Sequence, residues 1–213
     1  FPGHGDTATD SHKELPVVDA GLQRLRDTEF PPFQQAIRYG VASLMTAHVL
    51  YRALDPEAPA TLSSAVIQRL LREEFRYEGV VFTDDLEMHA IIDHDGIGEA
   101  AVRSFVAGCD VLLICKDQDR VMTAMQAMER AVKDGRITQE RLDQSLARVA
   151  KLKARYLHPY KPVTISDARL VVGCRSHKVL LDSWHKAYAR IPKPTLVERG
   201  QAAPAHDSPV THV

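Results

Sequence analysis

Apolar residues arrive along this chain in short blocks, and the blocks follow two rhythms. Val41–Thr46, Val80–Thr83 and Val111–Cys115 are brief, nearly continuous apolar runs, each coming just after a glycine (Gly40, Gly79, Gly108). Runs of that length and continuity predict strands covered on both faces. Between them the apolar residues recur at helical spacing. A helix is predicted over Pro31–Tyr39, opened by proline and ended by Gly40. A second places Val66, Ile67, Leu70, Leu71 and Phe75 on one face, with Ser63 or Ser64 as cap and Gly79 as break. Further helices are predicted over Gly98–Ala107, ended by Gly108, and over 118–134, ended by Gly135. Thr138 caps a last long helix whose stripe is Leu142, Leu146, Val149 and Leu152.

Strands that alternate with helices, and that start roughly 30–40 residues apart, imply βαβ units and a parallel sheet. The fold class is α/β. A doubly wound sheet and a barrel both fit that spacing, but no strand is followed by a G-x-G-x-x-G turn, which weakens a dinucleotide-binding sheet. The expectation is the C-terminal part of a (β/α)8 TIM barrel, about strands 5/6 to 8, over residues 1–156. Residues 157–191 are expected to form an extension with a short helix around Trp184, and 192–213 a disordered tail marked by Pro194, Pro204 and Pro209.

Composition narrows the function classes. Lys plus Arg is 27 and Asp plus Glu is 28, a formal net charge of −1. That balance gives no support to a nucleic-acid or membrane-surface partner. No apolar run approaches the roughly 18–20 residues of a membrane span. Cys109, Cys115 and Cys174 form no CxxC pair and no disulfide framework, so a reducing compartment is the simplest reading. The chain begins with Phe1 rather than Met, and no signal-peptide pattern precedes it; an upstream continuation is expected.

Chemistry-bearing residues gather in three places. Residues 1–16 read as a long loop containing Asp10-Ser11-His12. A carboxylate two residues from an imidazole can hold one ring nitrogen and favour the protonated form, making the pair a general acid and then a base. Asp10 as a turn cap with His12 as a surface histidine is the blander alternative. Thr83-Asp84-Asp85 closes the second strand. An acid there is a candidate nucleophile, base, metal ligand or ion-pair partner, and Asp85 suits a capping or hydrogen-bonding role. Met45-Thr46-Ala47-His48 closes the first strand, where His48 either lines a pocket or bonds the neighbouring loop. His4, His12, His48, Asp84 and Asp85 could also be weighed as metal ligands, yet no H-E-x-x-H spacing occurs.

In order and spacing, F-P-G-H-G-D-T-x-x-D-S-H (Phe1–His12), M-T-A-H-V (Met45–Val49) and G-V-V-F-T-D-D-L-E-M (Gly79–Met88) resemble glycoside hydrolase family 3 over about residues 1–155. Within it they are most similar to the bacterial β-N-acetylhexosaminidases of peptidoglycan recycling. The resemblance implies a (β/α)8 barrel and retaining hydrolysis of terminal β-linked N-acetylglucosamine. It implies Asp84 as the nucleophile, His12 as acid/base and Asp10 as its partner, with His4, Met45, His48 and Asp85 lining the sugar site. It further implies no metal and no cofactor, a GlcNAc–1,6-anhydroMurNAc peptide substrate, a monomer, and a cytoplasmic location. Most retaining glycosidases use two carboxylates about 5–5.5 Å apart; here an Asp–His pair stands in for one. The family's Lys-His pair is expected immediately upstream of Phe1, together with about half of the barrel, so this stretch alone is expected to have little activity. A metal-dependent hydrolase and a non-catalytic module are the competing classes.

Overall fold

The computed structural model describes residues 1–4, 6–7, 11 and 14–188. The chain divides into two units, Phe1–Tyr160 and Lys161–Val213.

The first unit begins with an irregular segment and a two-residue strand, β1 (Val17–Val18). Helix α1 (Leu22–Arg24) runs through a π turn (Leu25–Glu29) into α2 (Phe30–Arg38). Helical structure therefore starts well before Pro31, where the sequence places it. Pro31 and Pro32 supply no N–H and their rings crowd the preceding carbonyls, and the widened turn lies directly ahead of them. Leu25 and Phe30, both fully buried, hold the segment to the core.

β2 (Ser43–Met45) and the short β3 (Leu50–Tyr51) follow. A 3₁₀ turn (Ala60–Leu62) then leads to a π-helix (Ala65–Glu74). Ser63 caps it, accepting the Val66 N–H at 3.2 Å and donating to Asp55 at 2.6 Å. Arg76 (φ 55°) breaks this helix, rather than Gly79. Gly79 is needed for a close approach: a Cβ there would lie 2.8 Å from the Ala42 carbonyl and 2.3 Å from the Tyr77 hydroxyl.

β4 (Val80–Asp85), α3 (His89–Ala107), β5 (Val111–Leu113), α4 (Gln118–Lys133) and α5 (Gln139–Leu157) complete the unit. α3 starts earlier than its sequence pattern suggests because it continues through a kink at Gly96 (φ 67°). Gly108 ends it and Thr138 caps α5, both as expected.

β2, β4 and β5 form a parallel sheet in that order, and β1 pairs in parallel with β3. The architecture is α/β with parallel sheets, and the described residues form no closed barrel. Leu44 lies opposite Val81. Val81 lies in a cluster with Leu25, Phe30, Ile67 and Leu71, against which the partly buried Leu44 packs; each fully buried side chain of the cluster contributes about 1.5–3 kcal/mol. Met45 lies opposite Phe82, and Phe82 opposite Val111, on the other face. That face is only partly covered among the described residues, with Met45 46% exposed.

At its N-terminal end the sheet is tied to α5 by charge. The Asp110 carboxylate is fully buried and meets Arg72 at 2.7 Å, Arg148 at 3.1 Å and Arg141 at 3.6 Å. It also accepts the Val81 N–H at 2.9 Å and the Ser145 hydroxyl at 2.7 Å. Consequently the inward face of α5 is centred on Ser145, and Leu146, expected in its apolar stripe, is 59% exposed.

In the second unit the described elements are α6 (Ile165–Val171), capped by Thr164, and α7 (Arg175–Tyr188), which carries Trp184. The predicted tail, 192–213, lies outside the described residues.

Candidate active site at the C-terminal end of β4

The end of β4 is built around a bulge. Between its pairings with Val111 and Leu113, β4 advances from Phe82 to Asp85 while β5 advances one residue less. Thr83 and Asp84 occupy that extra length. A bulge bends its strand and re-aims a side chain, and such features cluster beside functional sites.

Several polar backbone groups around the bulge are satisfied by side chains. The Leu113 N–H donates to the Thr83 hydroxyl at 2.9 Å. The Asp85 N–H donates to the Asp84 carboxylate at 2.8 Å. The Asp85 carbonyl accepts from His48 Nε2 at 3.0 Å. Asp85's own carboxylate accepts the Glu87 N–H at 3.1 Å, the turn-capping role anticipated for it.

Asp84 is half-buried, and among the described residues no Arg or Lys pairs with it. Glu87 differs: its side chain is 4% exposed, accepts the N–H groups of Cys115 and Lys116 at 2.9 and 2.6 Å, and pairs with Arg120 at 3.4 Å. It shapes the loop after β5. Apart from its place in the T-D-D-L-E-M motif, no sequence pattern singles out Glu87.

His48 is 1% exposed, and both ring nitrogens are taken. Nδ1 lies 2.7 Å from the Thr61 hydroxyl, which lies 2.9 Å from the Thr46 hydroxyl. Burial lowers the imidazole's pKa from 6.5, against the opposing pull of the Asp85 carbonyl and the Asp84 and Asp85 carboxylates. Of the two roles open to His48 from sequence, its geometry is that of a loop-bonding histidine. Thr61 carried no sequence signal at all.

The opening segment docks beside these strand ends. The Phe1 ring packs edge-on against Phe33 and Phe75, and its carbonyl accepts the Ala47 N–H at 2.9 Å. Tyr51 donates to the Gly3 carbonyl. Arg24 reaches both Asp6 (3.3 Å) and Glu29 (3.5 Å). His4 is exposed, with Nε2 3.1 Å from the buried Ser11 hydroxyl and Nδ1 3.0 Å from Thr7. Asp10 and His12 lie outside the described residues, so only their neighbour Ser11 is placed. Met45 ends β2 in the open. The structure thus gathers Asp84, Asp85 and His48, with His4 within electrostatic reach of His48. Among the described residues, no three His, Cys, Asp or Glu side chains gather as metal ligands.

The profile of the glycosyl hydrolase family 3 N terminal domain matches residues 1–152. Beta-hexosaminidase A of Pseudoalteromonas piscicida is 34% identical over 198 residues, covering 84% of this chain and 33% of that protein. The beta-hexosaminidase of Nitrosomonas eutropha is 35% identical over 155 residues, covering 71% of this chain and 44% of that one. The chain therefore spans about a third to under half the length of these curated relatives. Among solved structures, a glycoside hydrolase family 3 beta-N-acetylglucosaminidase from Paenibacillus sp. str. FPU-7 superposes with a TM-score of 0.76 at 46% identity, covering 82% of this chain and 32% of that one.

Proposed function

Since this chain belongs to glycosyl hydrolase family 3, we propose that it supplies the nucleophile-bearing part of a retaining β-N-acetylglucosaminidase built on a (β/α)8 barrel. The observation that carries the proposal is Asp84: a half-buried carboxylate with no Arg or Lys partner among the described residues, at a bulge at a strand's C-terminal end, with Phe1 docked alongside. Catalytic groups of such barrels stand at that end. The naming of relatives as beta-hexosaminidases supports the substrate class.

In this reading Asp84 attacks the anomeric carbon of a terminal N-acetylglucosamine as the bond to the leaving oxygen breaks. The His12 imidazolium, held by Asp10, gives that oxygen its proton. Water then attacks the glycosyl ester, His12 takes its proton, and Asp84 is released as carboxylate. His48 does not compete for the acid/base role, because both its nitrogens are engaged. The natural substrate proposed is a GlcNAc–1,6-anhydroMurNAc peptide of peptidoglycan recycling, handled in the cytoplasm by a monomer. It rests on the resemblance to the family that the D-S-H and T-D-D motifs carry together.

The test uses the intact protein and p-nitrophenyl β-N-acetylglucosaminide. Asp84→Asn lowers turnover by on the order of 10⁴ or more. His12→Ala slows poor leaving groups far more than activated ones. Turnover at the wild-type rate by both variants would end the proposal, and sensitivity to EDTA would favour a metal-dependent hydrolase. A second reading has one observation behind it: a neighbour named beta-glucoside phosphorylase BglX superposes with a TM-score of 0.76 at 27% identity. Release of the sugar as its 1-phosphate in phosphate buffer would identify phosphate, rather than water, as acceptor.

A further inference from the structure

We propose that His48 is a positioning residue for Asp84, acting through the Asp85 backbone with Thr61 and Thr46 setting its tautomer. The inference rests on the reading of Asp84 as nucleophile and deepens it.

Two hydrogen bonds on one residue make the link. The Asp85 N–H donates to the Asp84 carboxylate at 2.8 Å, and the Asp85 carbonyl accepts from His48 Nε2 at 3.0 Å. The bulge takes Thr83 and Asp84 out of the regular ladder with β5, which resumes at the Asp85–Leu113 pairing. The imidazole adds a side-chain bond to Asp85 where the ladder resumes. It comes from the segment after β2, and it braces the end of β4 from the neighbouring strand.

The proton pattern is determined by the partners. A carbonyl only accepts, so Nε2 carries the hydrogen. His48, Thr46 and Thr61 are 1, 2 and 0% exposed, and an imidazolium there would be poorly solvated. The ring is therefore neutral and Nδ1 is an acceptor. The Thr61 hydroxyl donates to it at 2.7 Å and in turn accepts from the Thr46 hydroxyl at 2.9 Å. Thr61 also lies 3.1 Å from the Ala47 carbonyl, a contact that competes for its single proton and that the shorter bond to Nδ1 wins. Loss of the Thr61 hydroxyl frees the ring to turn over, and the Asp85 carbonyl loses its donor.

The experiment compares Thr61→Val, which keeps shape, with His48→Leu and His48→Gln in the intact protein, with rates expressed per folded molecule. Misplacing a reacting group by about 1 Å costs roughly a hundredfold. Thr61→Val and His48→Leu are expected to lower kcat about 10- to 100-fold with KM within about twofold, and His48→Gln, whose amide can still donate to the carbonyl, to recover part of the loss. A melting temperature that falls while kcat per folded molecule stays at the wild-type value would overturn the proposal, as would a loss confined to KM. Should His48→Leu not fold, Thr61→Val and the wild-type ring decide: ¹⁵N NMR is expected to show a neutral imidazole protonated at Nε2, and an imidazolium or an Nδ1–H form would overturn it. Asp84→Asn run in parallel separates the two failures. Full turnover there defeats the reading of Asp84, whereas inactive Asp84→Asn beside unaffected Thr61→Val and His48 variants defeats only the positioning role.

Discussion

Asp110 and Arg72 meet at 2.7 Å with 0 and 7% of their side chains exposed. The pair joins the π-helix to the start of β5, and Asp110 extends the tie to β4 through the Val81 N–H and to α5 through Ser145 and Arg148. It stands at the end of the sheet opposite Asp84. Removing one partner of a buried ion pair leaves the other charge uncompensated, which costs about 3–5 kcal/mol. Asp110→Ala, with three arginines left behind, is expected to destabilise by at least that order in a urea titration of the intact protein, with KM unchanged in the fraction that folds. An unchanged midpoint would mean that water already screens the network.

The three cysteines separate by surroundings, and thiol labelling reads them in order. Burial pushes the Cys109 thiol up to about 12, and its side chain is inaccessible. Cys115 is exposed, but partial desolvation and the facing Asp85 carboxylate raise its pKa. The Ser176 hydroxyl, 3.0 Å from Cys174, lowers that thiol. Since the thiolate is the reacting form, a limiting alkylating reagent at mildly alkaline pH is expected to modify Cys174 first and Cys115 second. Cys109 should react only on unfolding. Early modification of Cys109, detected by peptide mass mapping, would show that the core around Thr61 opens readily.

Much of this arrangement is legible in the sequence, and the illegible parts share a cause. β2, β4 and β5 announce themselves because a buried parallel strand needs continuous apolar residues. β1 and β3 span two residues each, too few to display any period. The inward face of α5 misleads because Asp110 draws Arg141, Ser145 and Arg148 toward it, displacing an apolar stripe with a polar one. T-D-D reveals Asp84, but the bulge that aims it arises from a pairing with β5, and no local pattern records it. His48 depends on Thr61, thirteen residues on within a 3₁₀ turn, and their contact is a product of the fold.

The buried ring of His48 also leaves a signature in stability against pH. Its folded pKa lies below 6.5, because burial outweighs the pull of the Asp85 carbonyl and of Asp84 and Asp85, while His4 pushes the same way as burial. In the unfolded chain the ring titrates near 6.5. Between the two values the unfolded state binds the extra proton, so stability is full above about pH 6.5 and declines as pH falls toward the folded value, by at most about 1.4 kcal/mol per pH unit for one proton. The relevant window opens just below about pH 6.5, above the range where most carboxylates titrate. Denaturation midpoints measured across it are expected to fall less steeply for His48→Gln than for the wild type, since the glutamine has no proton to take up on unfolding. Parallel curves for the two proteins would show that the wild-type ring is already charged when folded.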